Sequence, residues 1–182
     1  MVHNGSEVNR TMAETPDIAT MLKTRIRPIR PGDDAAVAAL VRDSLAAHGL
    51  DVPGTAYFDP ELDRLSSYYA RDPQRRAYFV AVDGQGEVVG GAGLAEFPAV
   101  DGCAEVQKLY VAPAARRRGV GSALMRAVED RARTLGYRTL YLETHSRLEA
   151  AVRLYEALGY SRADRAGTTP HDAMDRFFAK GL

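Results

Sequence analysis

The stretch EVQKLYVAPAARRRGVGSALMRAVEDRARTLG, residues 105–136, constrains this chain most. A strand-like run leads into Ala112-Pro113, three consecutive arginines and Gly119-Val120-Gly121. An amphipathic helix follows at once, with Leu124, Val128, Ala132 and Leu135 on its inward face. Glycines at a helix start let the backbone turn sharply and approach a ligand, and the first-turn N–H groups have no partner within the helix. Such a helix end is a ready anion site, and Arg116, Arg117 and Arg118 add bidentate phosphate recognition. The pattern predicts a seat for a diphosphate. A plainer reading has the glycines only shaping a turn and the arginines only solvating it. A dinucleotide-binding loop is a third reading, with Glu143 near the place of the ribose-binding acid. Against it, Leu124 takes the position of the third glycine, and the unit comes late, after antiparallel strands.

The flanking sequence supplies the frame. Residues 24–30, TRIRPIR, alternate as an edge strand with its proline at the edge. PGDDAAVAALVRDSLAAHG reads as a helix, with acids in its first turn, Val37, Leu40, Val41 and Leu45 at helical spacing, and a glycine stop at position 49. Residues 49–60 form a loop, and ELDRLSSYYA suggests a shorter helix. Strands at 77–83 and 87–97 flank a Gly-Gln-Gly turn as a hairpin. A strand at 104–111, a helix at about 120–135, a strand at 139–144 and a helix at about 147–158 follow, with one or two last strands after them. The expectation is an α/β or α+β fold, a central mixed sheet with helices on both faces.

Composition narrows the function. With 24 basic and 24 acidic residues the chain has no net charge, which argues against a nucleic-acid surface or an anionic membrane as partner. No stretch reaches the roughly 18 apolar residues of a membrane span. The single cysteine, Cys103, forms neither an internal disulfide nor a multi-cysteine metal site, and a cytoplasmic location is expected. Residues 1–22 lack apolar periodicity and read as a flexible tail ahead of one domain over 23–182.

Two motifs together resemble the GNAT superfamily of N-acetyltransferases. Arg116-x-x-Gly119-x-Gly121 matches its Q/R-x-x-G-x-G/A signature between an LYV-type strand and an amphipathic helix. Ala151, Tyr155, Gly159 and Tyr160 fall on its A-x-x-x-[FY]-x-x-x-G-[FY] pattern. The resemblance implies a sheet of about six or seven strands, splayed at the fourth and flanked by about four helices. It implies transfer of an acetyl group from acetyl-CoA to an amine, without a metal, by direct attack in a ternary complex. N–H groups of residues 117–122, including Arg117, Arg118, Gly119, Val120, Gly121 and Ser122, would hold the coenzyme A diphosphate. Main-chain groups of Leu109 and Val111 would hold the pantetheine arm and polarise the thioester carbonyl, a β-bulge splaying this strand from its neighbour.

The same resemblance gives Tyr155 the role of general acid to the leaving thiolate, although Leu148, Ala151, Val152 and Tyr155 also form an apolar stripe of the kind that enters a core. Glu105 matches the acid from which the family draws a general base; a solvated strand-end carboxylate is the alternative, and Glu96 or Glu143 could serve instead. Leu148 replaces a frequent asparagine, so one cofactor hydrogen bond is absent or falls to His145 or Ser146. His145 otherwise reads as a loop cap, and Cys103 as a small buried residue. The acceptor is expected to be a small-molecule amine rather than a protein, selected by residues 45–72 and 160–182. Homodimers are common in the family. A non-catalytic acyl-CoA-binding regulatory module of the same fold is the competing reading.

Overall fold

The computed structural model describes residues 24–167 and 169–182; the tail expected at 1–22 lies outside them. Among the described residues seven strands form one sheet in the order β1-β2-β3-β4-β5-β7-β6. β1 (Arg25–Pro28) is an edge strand on β2 (Ala77–Val82), and β2 pairs antiparallel with β3 (Val88–Glu96) as the predicted hairpin. β4 (Cys103–Val111) continues antiparallel to β3, and its pairing with β5 (Thr139–Thr144) is parallel. β7 (Arg176–Gly181) runs antiparallel to β5 and carries the two-residue β6 (Ser161–Arg162).

Strand alternation sends side chains to two cores. Ala92, Leu94, Ala104, Val106, Leu140 and Leu142 pack with α3 (Val120–Thr134), which contributes Leu124, Met125 and Val128, and with α4 (Glu149–Ala157). On the other face, Tyr78, Val80 and Val82 meet Val37, Val41 and Leu45 of α1 (Asp34–Ala46) and Leu65 and Tyr69 of α2 (Leu65–Ala70). α1 stops as the sequence predicts: Gly49, at φ +64°, reverses the chain so that Leu50 N–H reaches the Leu45 carbonyl. Among the described residues no helix is long and apolar enough to cross a membrane.

Two irregularities in β4 create the site. β4 and β5 pair only from Cys103↔Thr139 to Glu105↔Tyr141; beyond that β5 stays with β7 while β4 stays with β3, so the sheet splits. Against β3 the register slips between Gly91↔Tyr110 and Gly93↔Gln107. Lys108 stands in this bulge with φ +52°, a backbone conformation that side chains disfavour.

Candidate active site

Past the split, Ala112 N–H donates to the Val89 carbonyl. Alternation along the strand therefore turns the main-chain groups of Val111 and Leu109 away from β3, toward the open side. A cleft of about 550 Å³ occupies that side. Leu109, Tyr110 and Val111 form one wall, and Leu148, Ala151 and Leu154, at and beyond the start of α4, form the other. Ser44 and His48, at the end of α1, also line it, and Arg116, Arg117, Gly119, Val120, Gly121 and Ser122 form its mouth. Leu148 thus contributes an apolar surface, while Ser146 is tied to Asp175 by bonds of 2.7 and 2.8 Å and His145 Nδ1 caps its own turn by accepting the Arg147 N–H.

The mouth presents backbone donors without partners. Among the described residues no hydrogen bond takes up the N–H groups of residues 117–122; the first α3 bond recorded at this end runs from Ala123 N–H to the Gly119 carbonyl. Arg117 (φ +59°) and Gly119 (φ +76°) bend the chain so that these donors converge. Gly121 serves a different need: a Cβ there would stand 2.9 Å from Leu154 Cδ2, so its absence lets α3 and α4 close around the cleft. Arg116 Nε donates to the Val111 carbonyl at 3.0 Å, bracing the loop against β4. Arg118 is exposed and does not line the cleft.

Tyr155 sits in the core beneath this cleft, its ring 5.9 Å from that of Tyr160 and 6.0 Å from that of Phe178. Burial pushes its hydroxyl above the usual phenol range. Among the described residues the hydroxyl makes no hydrogen bond, yet it is not sealed from solvent as that of Tyr160 is.

On the other face of β4 stands a second polar group. Glu105 accepts a hydrogen bond from Gln107 Nε2 at 2.7 Å, and burial pushes its carboxyl up. The competing carboxylates are engaged elsewhere: Glu96 forms a bidentate pair with Arg76 that holds it below its ordinary range, and both oxygens of Glu143 accept, from Tyr141 at 3.0 Å and Thr169 at 2.8 Å. Nearby, the buried Lys108 ammonium pairs with Asp59 at 2.5 Å and Glu61 at 3.1 Å, and Asp59 also meets His171 Nε2 at 3.0 Å. Burial alone would raise Asp59, but the His171 and Lys108 contacts outweigh it and hold the carboxyl low. Lys108, Asp59, Glu61 and His171 were not singled out in the sequence, where no local pattern links them. Cys103 is buried against Phe97 and Tyr141, and burial raises its thiol to about 11, far from a reactive thiolate.

The family model described as "Acetyltransferase (GNAT) family" matches residues 43–160. The chain belongs to the GNAT family. It is therefore an N-acetyltransferase by class, as are its named relatives. An Escherichia coli protein named "Uncharacterized N-acetyltransferase YjgM" is 38% identical over 142 residues, covering 76% of this chain and 83% of its own. A GNAT acetyltransferase from Staphylococcus aureus Mu50 superposes with a TM-score of 0.77 at 16% identity, over 88% of this chain and 99% of its own. The Salmonella typhimurium protein yncA, a putative acetyltransferase solved with its cofactor acetyl-CoA, gives 0.68 at 23% identity, over 87% and 94%. These last two likenesses carry the GNAT fold, and the observed mixed sheet with its flanking helices agrees with the six or seven strands and about four helices that the resemblance implies.

Proposed function

We propose that this GNAT protein transfers the acetyl group of acetyl-CoA to a small-molecule amine, by direct attack while both substrates are bound. The observation that carries the reading is the split between β4 and β5: it opens a cleft lined by main-chain groups of Leu109 and Val111 and capped by the unpaired N–H groups of residues 117–122. A diphosphate fits that cap by charge and by donor number, and a largely apolar cleft suits a pantetheine arm. Acetyl-CoA supplies the acetyl group as an activated thioester. The protein's share is to hold and orient it and to move two protons.

Arg117 to Ser122 bind the diphosphate through their main chain, and Arg116 and Arg117 add charge at the mouth. Leu109 and Val111 align the arm and direct N–H donors at the thioester carbonyl, where negative charge builds during attack. The amine reaches the enzyme as an ammonium with a pKa near 10, so it must lose a proton first. Glu105 takes up that proton, directly or through water, as the carboxylate with an oxygen uncommitted to other side chains. Tyr155 supplies the proton to the departing sulfur: burial keeps the phenol protonated at neutral pH, and its hydroxyl is committed to no other acceptor. The acceptor approaches under the Asp59–Glu61 loop and the His171 segment, which cover this face of β4 and favour a small molecule.

Release of free thiol from acetyl-CoA across a panel of amines, amino acids and short peptides tests the reading. The expected result is amine-dependent, saturable release with at least one small amine. Tight coenzyme A binding with no turnover on any member would instead indicate a regulatory acyl-CoA-binding module.

A further inference from the structure

We propose that Gln107 is a positioning residue for Glu105: its side-chain amide, locked in one orientation by the buried Tyr69 hydroxyl, holds the Glu105 carboxyl as a directed acceptor. The role built on it rests on Glu105 being the base; the geometry does not. Tyr69 Oη donates to Gln107 Oε1 at 2.8 Å, and Gln107 Nε2 donates to Glu105 Oε2 at 2.7 Å. Tyr69 is buried, and burial raises its hydroxyl so far that it stays protonated and acts as a donor. A phenol that donates selects the amide oxygen, which leaves only the NH2 end to face Glu105. An NH2 group donates to a carboxylate and gives a protonated carboxyl less, so the pair favours the form of Glu105 that accepts a proton.

The sheet makes room for this relay. Gly93 of β3 is the register partner of Gln107 in β4. A Cβ at position 93 would lie 2.9 Å from the Tyr69 hydroxyl and closer still to the Tyr78 ring. A side chain there would block the path by which the phenol, carried on α2, reaches across β3 to β4. Gly93, Tyr69 and Gln107 thus come from three elements: the first leaves room for the second, which orients the third toward one Glu105 oxygen.

Glu105 is also surrounded by other groups that act on it. On β5, Glu143 opposes its ionisation; on its own strand Lys108, and from the C-terminal segment His171, favour it, while burial works against it throughout. Removing the Gln107 donor leaves burial and Glu143 less opposed, so the carboxyl should titrate at higher pH.

The test is acceptor-independent: carbon-13 NMR of protein labelled at the glutamate side-chain carboxyl, with the Glu105 resonance assigned by its loss in Glu105→Gln. In Gln107→Met the Glu105 midpoint should rise by about one pH unit, a tenfold change in the ionised fraction on the acid side. Tyr69→Phe should move it the same way by less, since the amide is retained but free to rotate. An unchanged midpoint in both folded variants would overturn the proposal. If Gln107→Met does not fold, Tyr69→Phe alone decides. Turnover of Glu105→Gln separately tests whether the carboxyl is the base, so a failed relay and a failed base are told apart.

Discussion

The Lys108 ammonium lies 2.5 Å from an Asp59 carboxylate oxygen, tying the loop at 59–61 to the bulge in β4 beside the cleft. Lys108 is buried and the Asp59 side chain keeps about 10% of its exposure, and Glu61 and His171 complete the cluster. Breaking a buried pair by removing one partner typically costs about 3–5 kcal/mol, because the other charge stays behind. Lys108→Met should therefore destabilise the protein on that scale, read as a lower midpoint in urea at an unchanged slope. A loss under about 1 kcal/mol would mean that the cluster is not a structural tie.

The same cluster gives stability a defined pH dependence. His171 loses by burial but gains more from Asp59, so its folded pKa is raised. A group raised on folding contributes stability that is fully present below its unfolded pKa, near 6.5, and is lost as pH rises through the folded value. Asp59, lowered on folding, contributes stability above its unfolded pKa, near 3.9, and loses it as pH falls. Thermal melts should show the wild-type advantage over His171→Gln shrinking as pH climbs from about 6 upward. A difference that stays flat with pH would contradict the assignment.

Gly119 and Gly121 should fail in different ways when replaced by alanine. At Gly119 there is space for a methyl but φ is +76°, so the substitution costs about 1–2 kcal/mol of stability through backbone strain. At Gly121 the backbone is ordinary, but the methyl would press on Leu154, which lines the cleft. Gly121→Ala should weaken coenzyme A binding about tenfold while moving the melting temperature less than Gly119→Ala does. Calorimetric titration with coenzyme A alongside thermal melts separates the two.

Tyr155→Phe removes one hydroxyl that makes no hydrogen bond among the described residues, so stability and coenzyme A affinity should change little. Turnover should fall by about 100-fold or more, the usual worth of a positioned general acid. Unchanged turnover would return Tyr155 to a core role.

Much of this molecule was legible in its sequence because periodicity and turn chemistry are local signals. β5 falls at 139–144 as read, and the edge strand with its proline, the hairpin and the α1 stop at Gly49 stand where expected. The α3 start at Val120 stands where expected, whereas the stretch read as a helix from about 147 is helical from Glu149, because His145 caps its own turn and Ser146 is tied to Asp175. The polar cluster on the acceptor face was not legible. Asp59 and His171 are 112 residues apart, and only the fold brings them to Lys108. One hint was present: in β4 the buried alternation Ala104, Val106 places a lysine at the next inward position, a charge that needs partners.

Direct transfer between two bound substrates is decided by initial velocities measured with acetyl-CoA and an active amine varied together. Direct transfer gives double-reciprocal lines that intersect, as expected where the only cysteine is buried with its thiol raised to about 11 and is a poor acyl acceptor. Parallel lines, with an acetyl group trapped on the protein in the absence of amine, would contradict it.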